Sequence, residues 1–167
     1  KAYLKRYESF EANPIYLDSA LQFLQSSTGN FSSYIQYYYL KSDKKGLINF
    51  VMSNPIDSAK YKKSDLALAY SRMGEVFASK GLNNDADIYF RKGTHLMPFI
   101  MDYKIKYGSF LLKNNRKEDA TEVFNHALKL NPTIKEIYLN LAYISILNRD
   151  FISAENSLKQ AIALDPD

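Results

Sequence analysis

A segment of 34 residues recurs along the second half of the chain. Sliding residues 101–134 by 34 positions in either direction aligns small, apolar and proline residues of three copies. The aligned sets are Gly74, Gly108 and Ala142; Ala86, Ala120 and Ala154; Phe90, Phe124 and Leu158; Gly93, Ala127 and Ala161; and Pro98, Pro132 and Pro166. Such a period is typical of an array in which one helix–turn–helix unit buries its apolar face only by stacking on the next.

The spacing of apolar residues predicts two helices in the unit at 101–134. Tyr107, Gly108 and Leu111 are three and four residues apart, which places them on one face of a first helix over 101–113. A second helix over 117–130 carries a stripe of small and aromatic residues that includes Ala120 and Phe124. We expect Gly108 to lie opposite Ala120, so that the two helix axes approach closely.

Helix ends are marked by residues with special backbone behaviour. Asn114 and Asn115 tolerate the left-handed conformation that a helix end needs. Pro132 lacks the amide hydrogen that a helix requires, so the second helix ends before it. In the preceding unit, Ser64 or Asp65 is expected to cap a helix over 66–79, with a partner from about residue 83 to residue 96. The last unit is predicted to begin with a helix over 136–147.

This pattern resembles the tetratricopeptide repeat over about residues 67–167. The resemblance implies repeats at 67–100, 101–134 and 135–167, preceded at 1–66 by degenerate helical hairpins or divergent repeats with insertions. Within that first part we expect helices at 1–12, 15–25, 31–40 and 46–53. The implied fold is all-α, a right-handed superhelical solenoid of antiparallel helix hairpins in one continuous domain.

Composition argues against several classes of function. The formal net charge is +4, but basic and acidic residues are interspersed, which disfavours a nucleic-acid surface. The chain has no cysteine for a thiolate metal site, and no apolar run long enough to enter a membrane. The two histidines, His95 and His126, occupy different repeat positions, so spacing suggests neither a metal pair nor a catalytic pair. We therefore expect no catalytic residues, metal site or cofactor.

Four tyrosines cluster at Tyr34, Tyr37, Tyr38 and Tyr39. On a helix Tyr34 and Tyr38 share a face while Tyr39 points elsewhere, so the cluster cannot all be core. Two interpretations remain open: rings packed between hairpins, or rings presented to a partner.

The resemblance also implies a concave groove lined by the first helices, which in this family receives an extended or helical peptide. Transferred by register, the partner-binding residues are Arg72, Glu75, Ile105, Lys106, Ser109, Lys113, Leu139, Asn140, Tyr143 and Leu147. The carboxylate clamp of chaperone-binding members is not matched, because Ser71 and Glu75, Lys106, and Glu136 and Asn140 stand at its positions. The asparagine ladder of glycosyltransferase members is also unmatched, since Arg72, Lys106 and Asn140 occupy that row.

The prediction is a non-catalytic scaffold that binds a protein or peptide in this groove, with no nucleic acid and no membrane insertion. Alternatives are a soluble appendage of a larger membrane enzyme or of a secretion or assembly complex, and, with less support, an RNA-binding repeat. Localisation stays open. Leu128 and Leu130 are expected to be covered by the next hairpin, whereas nothing follows Ile162 and Leu164; we expect the chain to continue or to self-associate there.

Overall fold

The computed structural model describes residues 34, 35, 37, 38, 43–53 and 61–165. Seven helices have described bounds, residues 34, 35, 37 and 38 are also helical, within the helix expected at 31–40, and no strand occurs among the described residues. They are α1 (Lys44–Ser53), α2 (Lys63–Ser79), α3 (Asn83–Leu96), α4 (Met101–Lys113), α5 (Lys117–Leu130), α6 (Lys135–Leu147) and α7 (Phe151–Leu164). The predicted helices at 1–12 and 15–25, and Tyr39, lie outside the described residues.

The chain divides into two compact units, Lys1–Met97 and Pro98–Asp167. In the first unit α1 packs on α2, and α2 pairs with α3. In the second unit α4 pairs with α5, α6 pairs with α7, and α6 also contacts both α4 and α5. The single continuous solenoid domain stays a prediction.

The first unit is held by an apolar core between α2 and α3. Met73, Phe77 and Phe90 are almost completely buried. At the rim, Lys92 Nζ lies 5.6 Å from the centre of the Tyr70 ring and 5.5 Å from that of Tyr89, within the range of a cation–π contact. Burial raises the pKa of both tyrosines, and Asp85 contributes to the effect on Tyr89. These rings therefore close the α2–α3 hairpin against water.

The tyrosine cluster packs against α1 where the structure describes it. Tyr37 is buried, and the Tyr34 ring stacks on Phe50 with centroids 4.8 Å apart. The Tyr38 ring lies 5.7 Å from the same phenylalanine. Asp43 caps α1, because its Oδ1 accepts a hydrogen bond from Gly46 N at 2.8 Å. The packing interpretation is thus the one that holds for these three tyrosines.

The helix bounds agree with the sequence prediction to within three residues, with one error of mechanism. Neither Ser64 nor Asp65 caps α2; the helix begins at Lys63, and its N-cap residue, Lys62, makes no side-chain capping bond. Ser64 and Asp65 instead lie in the first turn, where the Asp65 carboxylate suits the positive end of the helix dipole.

A single turn geometry joins the helices of the α2–α3, α4–α5 and α6–α7 hairpins. Gly81, Asn115 and Arg149 stand at equivalent positions and have positive φ angles of 73°, 57° and 61°. In each turn the next amide returns to the carbonyl five residues back, as in Arg116 N to Leu111 O at 2.9 Å. This is the bonding of a helix that ends in a left-handed residue. The prediction that the Asn114–Asn115 pair ends its helix is confirmed.

Large rings packed over glycines join the helices of the first two hairpins. An ideal Cβ at Gly74 would lie 2.7 Å from Phe90 Cγ, and one at Gly108 would lie 2.5 Å from Phe124 Cε1. The atoms nearest to Gly108 therefore belong to Phe124 and not to Ala120, which corrects the expected pairing. The absent side chain makes room for a ring.

Candidate partner-binding surface

The predicted groove residues are divided between the two units. Arg72 and Glu75 lie on α2 and are half-buried. Ser71, also expected to face the groove, is 1% exposed, so its hydroxyl is enclosed by protein. The other eight lie on α4 and α6, two helices that contact each other in the second unit. We call these the α4–α6 surface: Ile105, Lys106, Ser109, Lys113, Leu139, Asn140, Tyr143 and Leu147.

An apolar stripe runs along α6. Leu139, Tyr143 and Leu147 are four residues apart and share one helix face. Their exposed fractions are 42%, 54% and 46%, while Ile137, Ala142 and Ile144 fill the buried side of the same helix. Since the buried side already supplies the packing of α6, the stripe is apolar area that the hairpin does not use.

Polar groups line the α4 side of the surface. Ile105, Lys106 and Ser109 are half-buried, and Lys113 is exposed at the end of the helix. Lys106 Nζ pairs with Asp102 Oδ2 at 3.2 Å. The surface is consequently mixed, with a polar helix beside an apolar one.

Asn140, the polar residue within the α6 face, has its amide engaged. Its Nδ2 donates to the backbone oxygen of Glu136 at 2.8 Å, one turn back on the same helix. The side chain is therefore folded onto its own backbone, where it competes with any hydrogen bond to a ligand.

The charged residues along the α4–α6 surface include both acids and bases. Asp102 and Glu136 are exposed in the first turns of α4 and α6, where acidic groups favour the helix dipole. Lys106 and Lys113 both lie on α4, beside Asp102. The arrangement does not form the basic stripe that a phosphate backbone would need.

Both histidines are exposed on second helices, His95 on α3 and His126 on α5. Within the described part of the chain, no group of three or more His, Cys, Asp or Glu side chains could hold a metal ion. Nor does any helix described there have the length and apolar character that crossing a membrane requires.

Lys104 is a feature that the sequence reasoning missed. It lies on α4 and is only 5% exposed. Burial lowers the pKa of its ammonium group, because a low-dielectric surrounding disfavours the charged form. The sequence held a sign of this burial, because Tyr70 and Tyr138, two aromatic residues, occupy the equivalent positions in the other repeats.

The expectation about the exposed C-terminal residues is correct only in part. Ile162 is 61% exposed, whereas its equivalent Leu128, which another hairpin follows, is half-buried. Leu130, however, is 39% exposed although α6 and α7 follow it, and Leu164 is 38% exposed. The prediction that a following hairpin covers Leu130 is wrong. A leucine at this repeat position is exposed even when another hairpin follows, so the exposure of Leu164 does not indicate a missing hairpin.

Fold and surface together define a helical-repeat protein, built of antiparallel hairpins that present first-helix faces. Residues 102–134 and 135–167 each match the sequence profile of the Tetratricopeptide repeat, and these two hairpins are tetratricopeptide repeats. The family resemblance expected from the 34-residue spacing is confirmed, and with it the all-α tetratricopeptide-like fold. No curated protein matches the sequence significantly.

Solved structures share the fold at low sequence identity. A crystal structure of MamA superposes with a TM-score of 0.74 and 13% identity, covering 90% of this chain and 87% of that one. A second MamA structure gives a TM-score of 0.71 and 14% identity, covering 99% and 93%. The structure of YrrB, described as a TPR protein with an unusual peptide-binding site, gives 0.69 and 17%, covering 98% and 79%. Proteins of this fold generally serve as interaction scaffolds.

Proposed function

We propose that this chain is a non-catalytic scaffold whose α4–α6 surface binds a peptide or a segment of another protein. The observation that carries the proposal is the exposed stripe of Leu139, Tyr143 and Leu147 on α6. An apolar stripe that the fold leaves uncovered is typical of an interaction site. Tyrosine is well suited to such a site, since it offers a rigid apolar ring and a hydroxyl that can form hydrogen bonds.

The dimensions of the surface favour a short segment as the partner. From Leu139 to Leu147 the helix rises by eight steps, which corresponds to about 12 Å at 1.5 Å per residue. About two turns of a helical peptide, or about four residues of an extended one, cover that length. YrrB, which shares the fold, is described as having a peptide-binding site, and this supports a peptide as the class of ligand.

The charges support a protein partner over RNA. Asp102 and Glu136 are exposed on the two helices that form the surface, α4 and α6, and they would repel phosphates. A polypeptide can supply both signs of charge. The same surface would serve if the chain were an appendage that orients a partner for a larger membrane enzyme or assembly.

Photo-crosslinking tests the proposal directly. The photoreactive residue p-benzoylphenylalanine, introduced at position 143, should crosslink a protein in extracts of the source cell, and mass spectrometry would identify it. Its matched control carries the same group at position 126, because His126 is also exposed but lies on the second helix α5. We expect the crosslink at position 143 and not at position 126. Equal crosslinking at both positions, or crosslinking to nucleic acid, would contradict the proposal.

A further inference from the structure

The turn between α6 and α7 carries apolar side chains where the other hairpins are polar. Leu147 ends α6 and Ile152 lies in the first turn of α7, with exposed fractions of 46% and 76%. Shifted by 34 residues, their equivalents in the α4–α5 hairpin are Lys113 and Glu118. In the α2–α3 hairpin they are Ser79 and Asn84. The fold therefore does not need apolar residues at these two positions.

A further hairpin packed after α7 would not cover them. Lys113 and Glu118 are both exposed although the α6–α7 hairpin packs after them. The position of Phe151 differs, because its equivalent Lys117 donates from Nζ to Asn148 Oδ1 of the next turn at 2.6 Å. A side chain at the position of Phe151 can thus contact a following hairpin. The positions of Leu147 and Ile152 stay exposed when a hairpin follows, so the repeat geometry gives no reason for apolar residues there.

Arg149 stands at the centre of the same turn in the left-handed conformation, with φ of 61°. The equivalent residues are Gly81 and Asn115, two types that adopt this conformation at lower cost. A strained arginine where the other repeats use glycine and asparagine points to a use for its charge. The exposed guanidinium lies between the two apolar residues in sequence.

The neighbouring polar groups are already engaged. Asp150 Oδ1 accepts the amide hydrogen of Ser153 at 3.1 Å and so caps α7. Asn148 accepts from Lys117, as described above. Three backbone bonds also fix the turn, including Asp150 N to Ser145 O at 2.9 Å. The backbone of the turn is therefore fixed by hydrogen bonds, and Leu147, Arg149 and Ile152 are exposed at or beside it.

We propose that this turn surface, formed by Leu147, Arg149 and Ile152, docks a protein segment that places apolar side chains beside a carboxylate. Arg149 would receive the carboxylate, since a guanidinium pairs with it through two parallel hydrogen bonds. Leu147 also belongs to the α6 stripe, so the turn surface continues the α4–α6 surface around the end of the helix. In this respect the inference rests on the proposed function and adds the chemistry of the partner. A lipid bilayer is disfavoured, because Asn148 and Asp150 stand at the tip where insertion would begin.

The test uses random 12-residue peptides displayed on phage and selected on the purified 167-residue chain. Selected peptides are synthesised, and their affinities are measured by fluorescence anisotropy. We expect them to combine apolar residues with Asp or Glu. Binding should weaken as salt is raised, because part of it is an ion pair.

The double variant L147K/I152E copies the α4–α5 hairpin, which adopts the same turn with Lys and Glu at these positions. It should keep the circular dichroism signal and lower peptide affinity at least tenfold. Arg149→Asn copies Asn115 and should lower the affinity of acidic peptides while leaving their amide analogues, with Gln or Asn in place of Glu or Asp, nearly unchanged. A third variant, L139A/Y143A, removes the two residues of the α6 stripe that lie outside the turn surface.

The variants distinguish this inference from the proposed function. If L139A/Y143A weakens binding and L147K/I152E does not, the α4–α6 surface stands and the turn surface is refuted. Loss of affinity in L147K/I152E alone supports the turn surface and refutes the groove. Self-association of the parent that L147K/I152E abolishes, measured by light scattering, would assign the turn to a second copy and overturn the inference. Selection of no peptide, or of peptides without acidic residues, would also overturn it.

Discussion

Replacing Gly108 with alanine should displace the ring of Phe124 and destabilise the second unit. The new Cβ would lie 2.5 Å from Cε1 and 3.0 Å from Cε2 of that ring, whereas carbon atoms in contact prefer about 3.5–4.0 Å. The ring must therefore move by about 1 Å. Because Phe124 is fully buried, this movement takes place inside the packed core.

The net effect follows from two opposing terms. Overpacking of this kind costs about 1–3 kcal/mol. Alanine is the better helix former and returns about 0.5–1 kcal/mol. We expect Gly108→Ala to lower the free energy of unfolding by about 0.5–2 kcal/mol, measured by urea denaturation.

The third repeat supplies the compensating change. Where the α4–α5 hairpin has Gly108 and Phe124, the α6–α7 hairpin has Ala142 and Leu158. Phe124→Leu alone should cost about 1–2 kcal/mol through the cavity that it leaves. In the double variant the larger residue on one helix fills space vacated on the other. Its destabilisation should therefore fall short of the sum of the single effects by about 1 kcal/mol.

Gly93→Ala is the matched control. Its Cβ would lie 3.2 Å from Ala67 O, a milder contact, and its equivalents Ala127 and Ala161 already carry the methyl group. We expect a change below about 1 kcal/mol, because the gain in helix propensity offsets a small shift. Additive effects of Gly108→Ala and Phe124→Leu, within about 0.5 kcal/mol, would refute the size matching.

Two further predictions concern single residues. Lys104→Met should stabilise the chain by about 1 kcal/mol at neutral pH, because it removes a buried charge. The folded state binds fewer protons than the unfolded state while the pH lies between the lowered pKa of Lys104 and its ordinary value, so parental stability should rise with pH across that window. Urea unfolding at several pH values should show that rise in the parent and not in Lys104→Met; a rise in both would refute the assignment. Arg149→Gly should raise the free energy of unfolding by about 1 kcal/mol by relieving the left-handed arginine, and an unchanged or lower value in thermal unfolding would show that the turn is unstrained.

The helices of the repeats could be predicted because local signals agree with the tertiary packing. Apolar spacing, the Asn114–Asn115 turn and the prolines that follow the second helices each mark an element that the structure contains. The start of α2 could not be predicted as well, since Ser64 and Asp65 are good caps in general but the helix already begins at Lys63.

Side-chain partners across a helix pair could not be obtained from spacing alone. The repeat pattern shows that Gly108, Ala120 and Phe124 all face the hairpin interior, but not which atoms meet. Contact depends on how far each side chain reaches. A phenyl ring extends over the preceding turn of its helix, so Phe124 and not Ala120 supplies the atoms nearest to Gly108.

The sequence predicted which positions form the candidate surface, but only the structure shows which of their side chains are exposed. Register placed Leu139, Tyr143 and Leu147 on one face, and the structure adds that all three remain exposed. The turn surface was within reach of the sequence, because Ile152 differs from Glu118 and Asn84 at the same repeat position. Recognising it requires knowing that this position stays exposed when another hairpin follows.

The binding role of the α6 stripe is tested most directly by the affinity of a selected peptide for L139A/Y143A. We predict at least tenfold weaker binding, equivalent to about 1.4 kcal/mol, with an unchanged helical circular dichroism signal. The control N125A/H126A changes two exposed residues of α5 and should bind as the parent does. Equal affinity of L139A/Y143A and the parent would contradict a partner site on the first-helix faces.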